Sequence, residues 1–288
     1  MGIKIQTIKD IRSYLSRELE GTYPENETGA IATIIIRNVL VIRKLHEVYL
    51  TDQTVTGKQS AKIKSICREL KTGKPIQYIL GETIFYDCPI RLNRSTLVPR
   101  PETEELVDLI IRENRGYKGT IIDFGTGSGC IAIALASNLP GSVVTGTDIS
   151  AEALSIAYEN AALNNVKVKF LQEDIFSPGS GQEDEAGIIV SNPPYVRNSE
   201  KQLMSKNVLE FEPQTALFVP DSDPLVYYTA ILKKAARILL PGGMIYFEIN
   251  EVMGKPMAEL LESYGYTDIR IVRDINGKER IIKGKSYV

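Results

Sequence analysis

The residues with the most specific chemistry in this chain are Asn192-Pro193-Pro194-Tyr195. Two consecutive prolines fix φ and contribute no N–H, so they leave a rigid turn whose carbonyls are free to face a ligand. Asn192 adds a side-chain oxygen beside them, and Tyr195 adds an aromatic wall. A rigid cluster of acceptors suits an NH2 group as substrate, because it holds both hydrogens while the nitrogen lone pair points elsewhere. All four residues are therefore candidates for catalysis and substrate binding. The plainer account is a Pro-Pro turn that merely ends a strand. Its position at the carboxyl end of an apolar run, where a glycine loop also opens, argues against that account.

That loop is Gly125-Thr126-Gly127-Ser128-Gly129, after Asp123-Phe124. Glycines let the backbone turn sharply and let a ligand approach with no Cβ in the way, and loops after strands line the binding crevice of open α/β sheets. A dinucleotide fingerprint would want glycine or alanine where this chain has Cys130, and the Lys-Ser/Thr pair of a phosphate-binding loop is missing. A nucleoside cofactor of another kind fits better, although a purely structural tight turn would show the same glycines. Asp148, closing the next apolar run, is placed to accept both hydroxyl protons of a ribose; capping the following helix is its alternative role, for which Ser150 is better placed. Asp174 ends the third run and could accept from an adenine amino group, with Ile175 and Phe176 as apolar cover, or serve as a plain cap.

These groups must be held by elements that the sequence also outlines. From residue 119 onward, short apolar runs alternate with helical patterns. Strands are expected at 120–124, 143–147, 168–171, 187–191, 244–249, 268–273 and 280–283, and helices at 130–138, 151–163, 225–240 and 255–264. The last two strands lie too close for a crossover helix and should form an antiparallel pair through Asn276-Gly277. The expected fold class is α/β, a seven-stranded, doubly wound, mostly parallel sheet. Before it, residues 3–72 read as a small N-terminal helical bundle of about four helices, with Ile8, Ile11, Tyr14, Leu15 and Leu19, then Ile34, Ile35, Val39, Ile42, Leu45 and Val48 at helical spacing. Between the two, Thr83 to Val98 reads as a β-hairpin linker with turns at Cys88-Pro89 and Asn93-Arg94. The expected domains are 1–75, helical; 76–100, hairpin linker; and 101–288, catalytic.

Composition prunes the chemistry. The 288 residues include 43% hydrophobic and 24% charged side chains, ordinary values for a soluble globular protein. No apolar run approaches a membrane span, and no secretory signal is visible. Cys67, Cys88 and Cys130 are odd in number and widely spaced, against a disulfide framework or a cysteine zinc site and in favour of a reducing cytoplasm. The single histidine, His46, sits in a helical pattern and reads as a surface or groove residue, so imidazole chemistry and histidine metal sites are not expected and no metal is implied. Net charge is −2, but residues 1–75 hold 13 basic and 8 acidic side chains, which leaves the remainder net −7.

Gly-x-Gly-x-Gly, the second-strand Asp148 and Asn-Pro-Pro-Tyr, in this order, resemble a class I S-adenosylmethionine-dependent methyltransferase acting on an amino or amide nitrogen. Arg100-Pro101-Glu102-Thr103-Glu104, Phe211-Glu212-Pro213 and the stretch Gly73 to Gly81 narrow the resemblance. Over nearly its whole length the chain is similar to the peptide-chain-release-factor glutamine methyltransferases, which methylate the side-chain amide of the glutamine in the Gly-Gly-Gln motif of translation release factors. The resemblance implies S-adenosylmethionine as cofactor. Gly125 to Gly129 would lie along its methionine part, Asp148 on the ribose, Asp174 and Ile175 near the adenine, and Asn192 beside the methyl group. Asn192 to Tyr195 would hold the glutamine amide. The position of Ile175 is often aromatic in relatives, and isoleucine there weakens ring stacking without abolishing apolar contact. It also implies a release factor as protein partner, recognised by the helical domain and hairpin, and a cytoplasmic monomer with no membrane and no nucleic-acid substrate.

Two other readings stay open at this point. A nucleic-acid amino methyltransferase would present adenine N6 or guanine N2 to the same tetrapeptide on a flipped base, but a net −7 catalytic part has no basic stripe for phosphates. A non-catalytic cofactor-binding scaffold would have no use for the acceptor cluster. Pro101 suits a first helical position, with Glu102, Glu104 and Glu105 complementing the dipole, and Arg100 is available to meet a carboxylate.

Overall fold

The computed structural model describes residues 4–42, 48–178 and 185–287; His46 and Leu45 lie outside the described residues. The chain divides into two compact units, Met1–Gly81 with Lys206–Phe211, and Glu82–Ser205 with Glu212–Val288.

The first unit is helical: α1 (Ile8–Glu18), α2 (Glu25–Leu40), α3 (Gly57–Leu70) and α4 (Ile76–Leu80). Thr7 and Asp10 form a reciprocal capping box that starts α1, and Thr56 with Gln59 does the same for α3, satisfying N–H groups that the first helical turn leaves unpaired. Ile8, Ile11, Leu15, Ile35, Ile36, Val39, Ile63, Ile66 and Leu70 share one core. The expected single apolar series from Ile34 to Val48 is broken. Val41 takes a left-handed φ of 56° and ends α2, so Ile42 and Val48 reach the core from outside the helix, while Ile34 is exposed. The helical unit runs past the boundary expected at residue 75, because α4 follows Pro75.

The second unit opens with the hairpin β1 (Glu82–Phe85) and β2 (Cys88–Arg91). Its turn is Tyr86-Asp87, both at positive φ as a two-residue type I′ loop requires. Cys88-Pro89, expected as the turn, instead lies in β2, while Asn93 does form a turn, its carbonyl accepting from Thr96 N–H. Nor is the hairpin a free linker. Tyr86 N–H and O–H donate to Glu104 and Asp108 of α5 (Pro101–Glu113), so it is fastened to the sheet unit.

A seven-stranded sheet follows, in the order β10-β11-β9-β6-β3-β4-β5. Its strands are β3 (Thr120–Phe124), β4 (Val143–Asp148), β5 (Val168–Gln172), β6 (Ala186–Ser191), β9 (Leu239–Glu248), β10 (Thr267–Arg273) and β11 (Glu279–Lys285); β7 (Val196–Arg197) and β8 (Phe218–Val219) pair separately. All seven expected strands are present, β3, β4, β5, β6 and β9 are parallel, and β11 runs antiparallel between β9 and β10. β9 starts earlier than expected, at Leu239, because Leu239 pairs with Ala186 before an irregularity carries the ladder on to Met244. Helices α9 (Val226–Ile238) and α10 (Gly254–Ser263) cover one face, with Ile231, Leu232, Ala235 and Leu261 packed on Ile122, Ile189 and Phe247. Each fully buried leucine, isoleucine or phenylalanine among these contributes about 1.5–3 kcal/mol. Helices α5, α6 (Cys130–Asn138) and α7 (Ala151–Leu163) pack on one another against the sheet. The short α8 (Lys206–Phe211) groups with the helical unit.

The topology places the chemistry. The chain builds β3, β4 and β5 outward, then returns to lay β6 on the other side of β3. In an open α/β sheet that reversal opens a crevice at the strand carboxyl ends.

Candidate active site

Four strands finish in one register. Phe124 pairs with Thr147 and Ser191, and Ser191 with Phe247. The next residue of each strand therefore stands on the same carboxyl edge: Gly125, Asp148, Asn192 and Glu248. A fifth strand adds Gln172, beside Asp148, with Asp174 just beyond. The glycine loop and the tetrapeptide leave from adjacent strands, and Ser191 Oγ donates to Phe124 O at 2.6 Å to lock the two exits together.

In the glycine loop, a Cβ on Gly125 or Gly127 would meet nothing within 4 Å, so these two glycines leave their backbone open on one side, at φ of 73° and 55°. Gly129 has a different reason. A Cβ there would stand 3.1–3.2 Å from Ala157, Ile133 and Phe170, so it is glycine because α6 starts hard against α7 and β5. Thr126 N–H donates to Thr147 O at 2.8 Å and Thr126 Oγ1 to Asp123 at 2.6 Å, while Ser128 O accepts from buried Asn160 at 2.9 Å. Every turn of the loop is thus tied to the sheet or to α7.

Asp148 accepts from Gly127 N–H at 2.8 Å and from Ser150 N–H at 2.9 Å, one bond to each oxygen. Each oxygen keeps a lone pair for a further donor. Burial raises its pKa, and these backbone donors oppose the rise. The capping role goes to Ser150, whose Oγ accepts from Ala153 N–H. Asp174 Oδ1 accepts from Phe176 N–H at 2.9 Å. Ile175 packs inward against the α9 side of the core, whereas Phe176 is exposed and tilted against Tyr227 at 5.1 Å. Beside Asp174, Phe176 therefore offers an exposed ring and Ile175 a half-buried aliphatic side chain.

The tetrapeptide is braced from behind. Asn192 Nδ2 donates to Thr103 Oγ1 at 3.1 Å, Thr103 Oγ1 donates to Glu248 at 2.6 Å, and Tyr195 O–H donates to the other Glu248 oxygen at 2.9 Å. Burial, then the Glu248 charge, pushes the Tyr195 hydroxyl far above its ordinary value, so it stays a donor. Among the described residues, Asn192 Oδ1 and the carbonyls of Pro193 and Pro194 accept nothing. Pro193 is buried and Pro194 half-buried. The arrangement offers fixed acceptors at the mouth of the crevice, two residues from a rigidly held aromatic ring.

Three contributors escaped the sequence reading. Thr103 and Glu248 act from α5 and β9, and only the charge at the end of an apolar strand hinted at Glu248. Asp123 is fully buried, no hydrogen bond of ordinary geometry reaches its Oδ1, and burial together with nearby Asp148 pushes it up to about 7 against the Thr126 hydroxyl and the Ala132 backbone N–H. Its signal was an acid immediately before the glycine loop. Arg100 does meet a carboxylate: its guanidinium pairs at 2.7 Å with Glu212, whose side chain is 1% exposed, while Glu212 also accepts from Val98 N–H. This joins two motifs 112 residues apart. Among the described residues no cluster of histidine, cysteine or acids could hold a metal ion, and no helix is long and apolar enough to cross a membrane.

Residues 103–212 match the family model of the methyltransferase small domain. Over 280 residues the chain is 44% identical to a release factor glutamine methyltransferase of Flavobacterium psychrophilum, covering 96% of this chain and 98% of that protein. A second relative of the same name, from Bacteroides thetaiotaomicron, is 42% identical over 94% of this chain and 98% of its own. Among solved structures, a 16S rRNA N2 G1207 methyltransferase of T. thermophilus in complex with AdoMet and guanosine has the same fold, with a TM-score of 0.51 at 17% identity over 71% of this chain and 49% of that one.

Proposed function

We propose that this chain, which belongs to the release factor glutamine methyltransferase family, transfers a methyl group from S-adenosylmethionine to the side-chain amide nitrogen of the Gly-Gly-Gln glutamine in a translation release factor. The observation that carries the reading is the pair of unengaged acceptors, Asn192 Oδ1 and Pro193 O, in a turn whose Asn192 Nδ2 and Tyr195 hydroxyl are bonded inward. It acts as a monomer in the cytoplasm, where release factors work and where its three free, buried cysteines stay reduced. The helical residues 1–75 and the hairpin present the protein substrate.

The crevice fits the cofactor. Gly125 and Gly127 open their backbone to close approach, Asp148 keeps lone pairs for the two ribose hydroxyls, and Asp174 with Phe176 and Ile175 offers an acceptor and apolar cover for a purine. Thr126, Ser128 and Gly129 shape the loop without blocking it. Asp123 Oδ1, which no hydrogen bond of ordinary geometry reaches, is a further polar group beneath the loop. S-adenosylmethionine, when bound, supplies an electrophilic methyl group on a sulfonium.

The chain's own residues supply the rest. An amide nitrogen is a poor nucleophile because its lone pair is delocalised into the carbonyl. When Asn192 Oδ1 and Pro193 O accept its two N–H bonds, they favour a more tetrahedral nitrogen and turn the lone pair outward. Positive charge then develops on that nitrogen, and the same fixed oxygens stabilise it without reorganising. Pro193 and Pro194 hold the acceptors at one geometry, and Tyr195 walls the side chain into line. The methylated nitrogen, while it still carries its extra proton, is so acidic that water takes the proton without a dedicated base.

The test is methyl transfer from labelled cofactor to a release factor, to the same factor with its motif glutamine replaced, and to structured RNA. Label on the first alone is expected. Asn192→Ala should abolish turnover while cofactor binding is largely kept. Label on RNA, or full activity in that variant, would overturn the reading.

A further inference from the structure

The acceptor role of Asn192 depends on which end of its amide faces the substrate, and the two ends are nearly the same shape. What distinguishes them is the polarity of their neighbours. Glu248, 1% exposed at the end of β9, is the fixed point. One of its oxygens receives the Thr103 hydroxyl proton and the other receives the Tyr195 hydroxyl proton, while its backbone carbonyl receives that of Tyr228 at 2.8 Å. Burial raises the Glu248 pKa, and the Thr103 and Tyr195 hydroxyls and the Arg280 guanidinium, itself held by Asp274 and by Ile249 O, oppose the rise. With one hydroxyl directed at each oxygen, Glu248 as the carboxylate acts only as an acceptor.

We propose that Glu248 is a positioning residue: acting through Thr103, it fixes the Asn192 amide with Nδ2 turned inward and Oδ1 presented to the substrate nitrogen. The proposal rests on the functional reading above and adds the origin of its key acceptor. A hydroxyl has one proton. Because the carboxylate takes it, Thr103 Oγ1 has only lone pairs left for Asn192, and only the NH2 end of the amide can meet them. A glutamine at position 248 has the same shape but two polarities. With its Nε2 toward Thr103, the hydroxyl proton is released toward Asn192, draws Oδ1 inward, and sets the Asn192 NH2 against the substrate NH2, donor to donor. The competent fraction falls, and the rate falls with it.

The experiment compares full-length wild type with E248Q, T103V, T103S and the E248Q/T103V double variant. E248Q is expected to lose about 10-fold or more in kcat with cofactor Kd within about 2-fold of wild type, since an acceptor used in the transition state is lost and cofactor contacts are not. T103V should lose as much, T103S should recover most of it, and the double variant should be no worse than T103V, because both act on one relay. If E248Q does not fold, the T103V and T103S pair carries the test. An NOE between the Asn192 Nδ2 protons and the Thr103 methyl, read without substrate, is expected in wild type and weakened in E248Q. A wild-type chain that labels no release factor yet shows this NOE would overturn the functional reading and leave the polarity argument standing. Wild-type kcat in E248Q, additive losses in the double variant, or T103S no better than T103V would overturn the proposal itself.

Discussion

Asn160 is the side chain whose loss the structure prices most clearly. It lies on α7 with no exposure, accepts from Arg91 N–H at 2.7 Å, and donates to Arg91 O at 3.0 Å and Ser128 O at 2.9 Å. One amide thus joins the hairpin to the glycine loop. In Asn160→Ala three backbone groups lose their partner. Arg91 is exposed, so water recovers part of its two bonds, whereas Ser128 is buried and recovers none. Counting about 1 kcal/mol for each Arg91 group and about 2 kcal/mol for the stranded Ser128 carbonyl, the loss comes to about 4 kcal/mol. For a folding unit of this size that lowers Tm by about 8–16 °C. Differential scanning calorimetry of the full chain reads it, with cofactor Kd by isothermal titration as the functional readout, since Ser128 belongs to the loop. Asn160→Asp should cost at least as much, because its second oxygen would face two carbonyls. A Tm within 2 °C of wild type for Asn160→Ala would refute the reasoning, in which these bonds are net stabilising and irreplaceable by water; that threshold is about a quarter of the smallest shift expected.

Three further outcomes are expected. Arg100→Ala leaves the Glu212 carboxylate, 1% exposed, with Val98 N–H as its remaining bond, and should cost about 2–4 kcal/mol in urea unfolding; Arg100→Ala with Glu212→Gln should cost less than Arg100→Ala alone. Asp123 has a folded-state value of about 7 against 3.8 unfolded, so the folded chain holds the proton more tightly, and this group's contribution falls as pH rises from about 3.8 to about 7. Asp123→Asn should flatten the stability profile in that window, and an unchanged difference from wild type across it would count against the buried acid. Asp87→Gly, at an exposed φ of 62° in the hairpin turn, should stabilise by about 0.5–1 kcal/mol in thermal melts.

Much of the site could be read from local pattern because its parts are local. The glycine loop and the tetrapeptide each lie within a few residues, and each follows a short apolar run whose period betrays a buried strand. The hairpin shows where such reading fails. Cys88-Pro89 has turn composition, but Tyr86-Asp87 makes the turn, because register with β1 and the bonds of Tyr86 to α5 outweigh the propensity of those residues. The series from Ile34 to Val48 failed for a related reason: a single left-handed residue, Val41, ends the helix without any glycine to mark it. Ile175 and Phe176 were both expected as apolar cover, and the structure leaves Phe176 exposed and Ile175 half-buried against the core beside it.

The sequence by itself determined the fold class, the order of the strands along the chain and the two loops of the candidate site, since hydrophobic period, glycine spacing and proline geometry act over a few neighbouring residues. Beyond the closing β10-β11 hairpin, the tertiary structure alone decided which strands lie side by side, and with that the groups that bond Asn192 Nδ2 inward. Thr103 reaches Asn192 across 89 residues and Glu248 across 145, and they meet because β9 lies against β6. That adjacency follows from how the whole chain buries its apolar faces, so no window of sequence contains it.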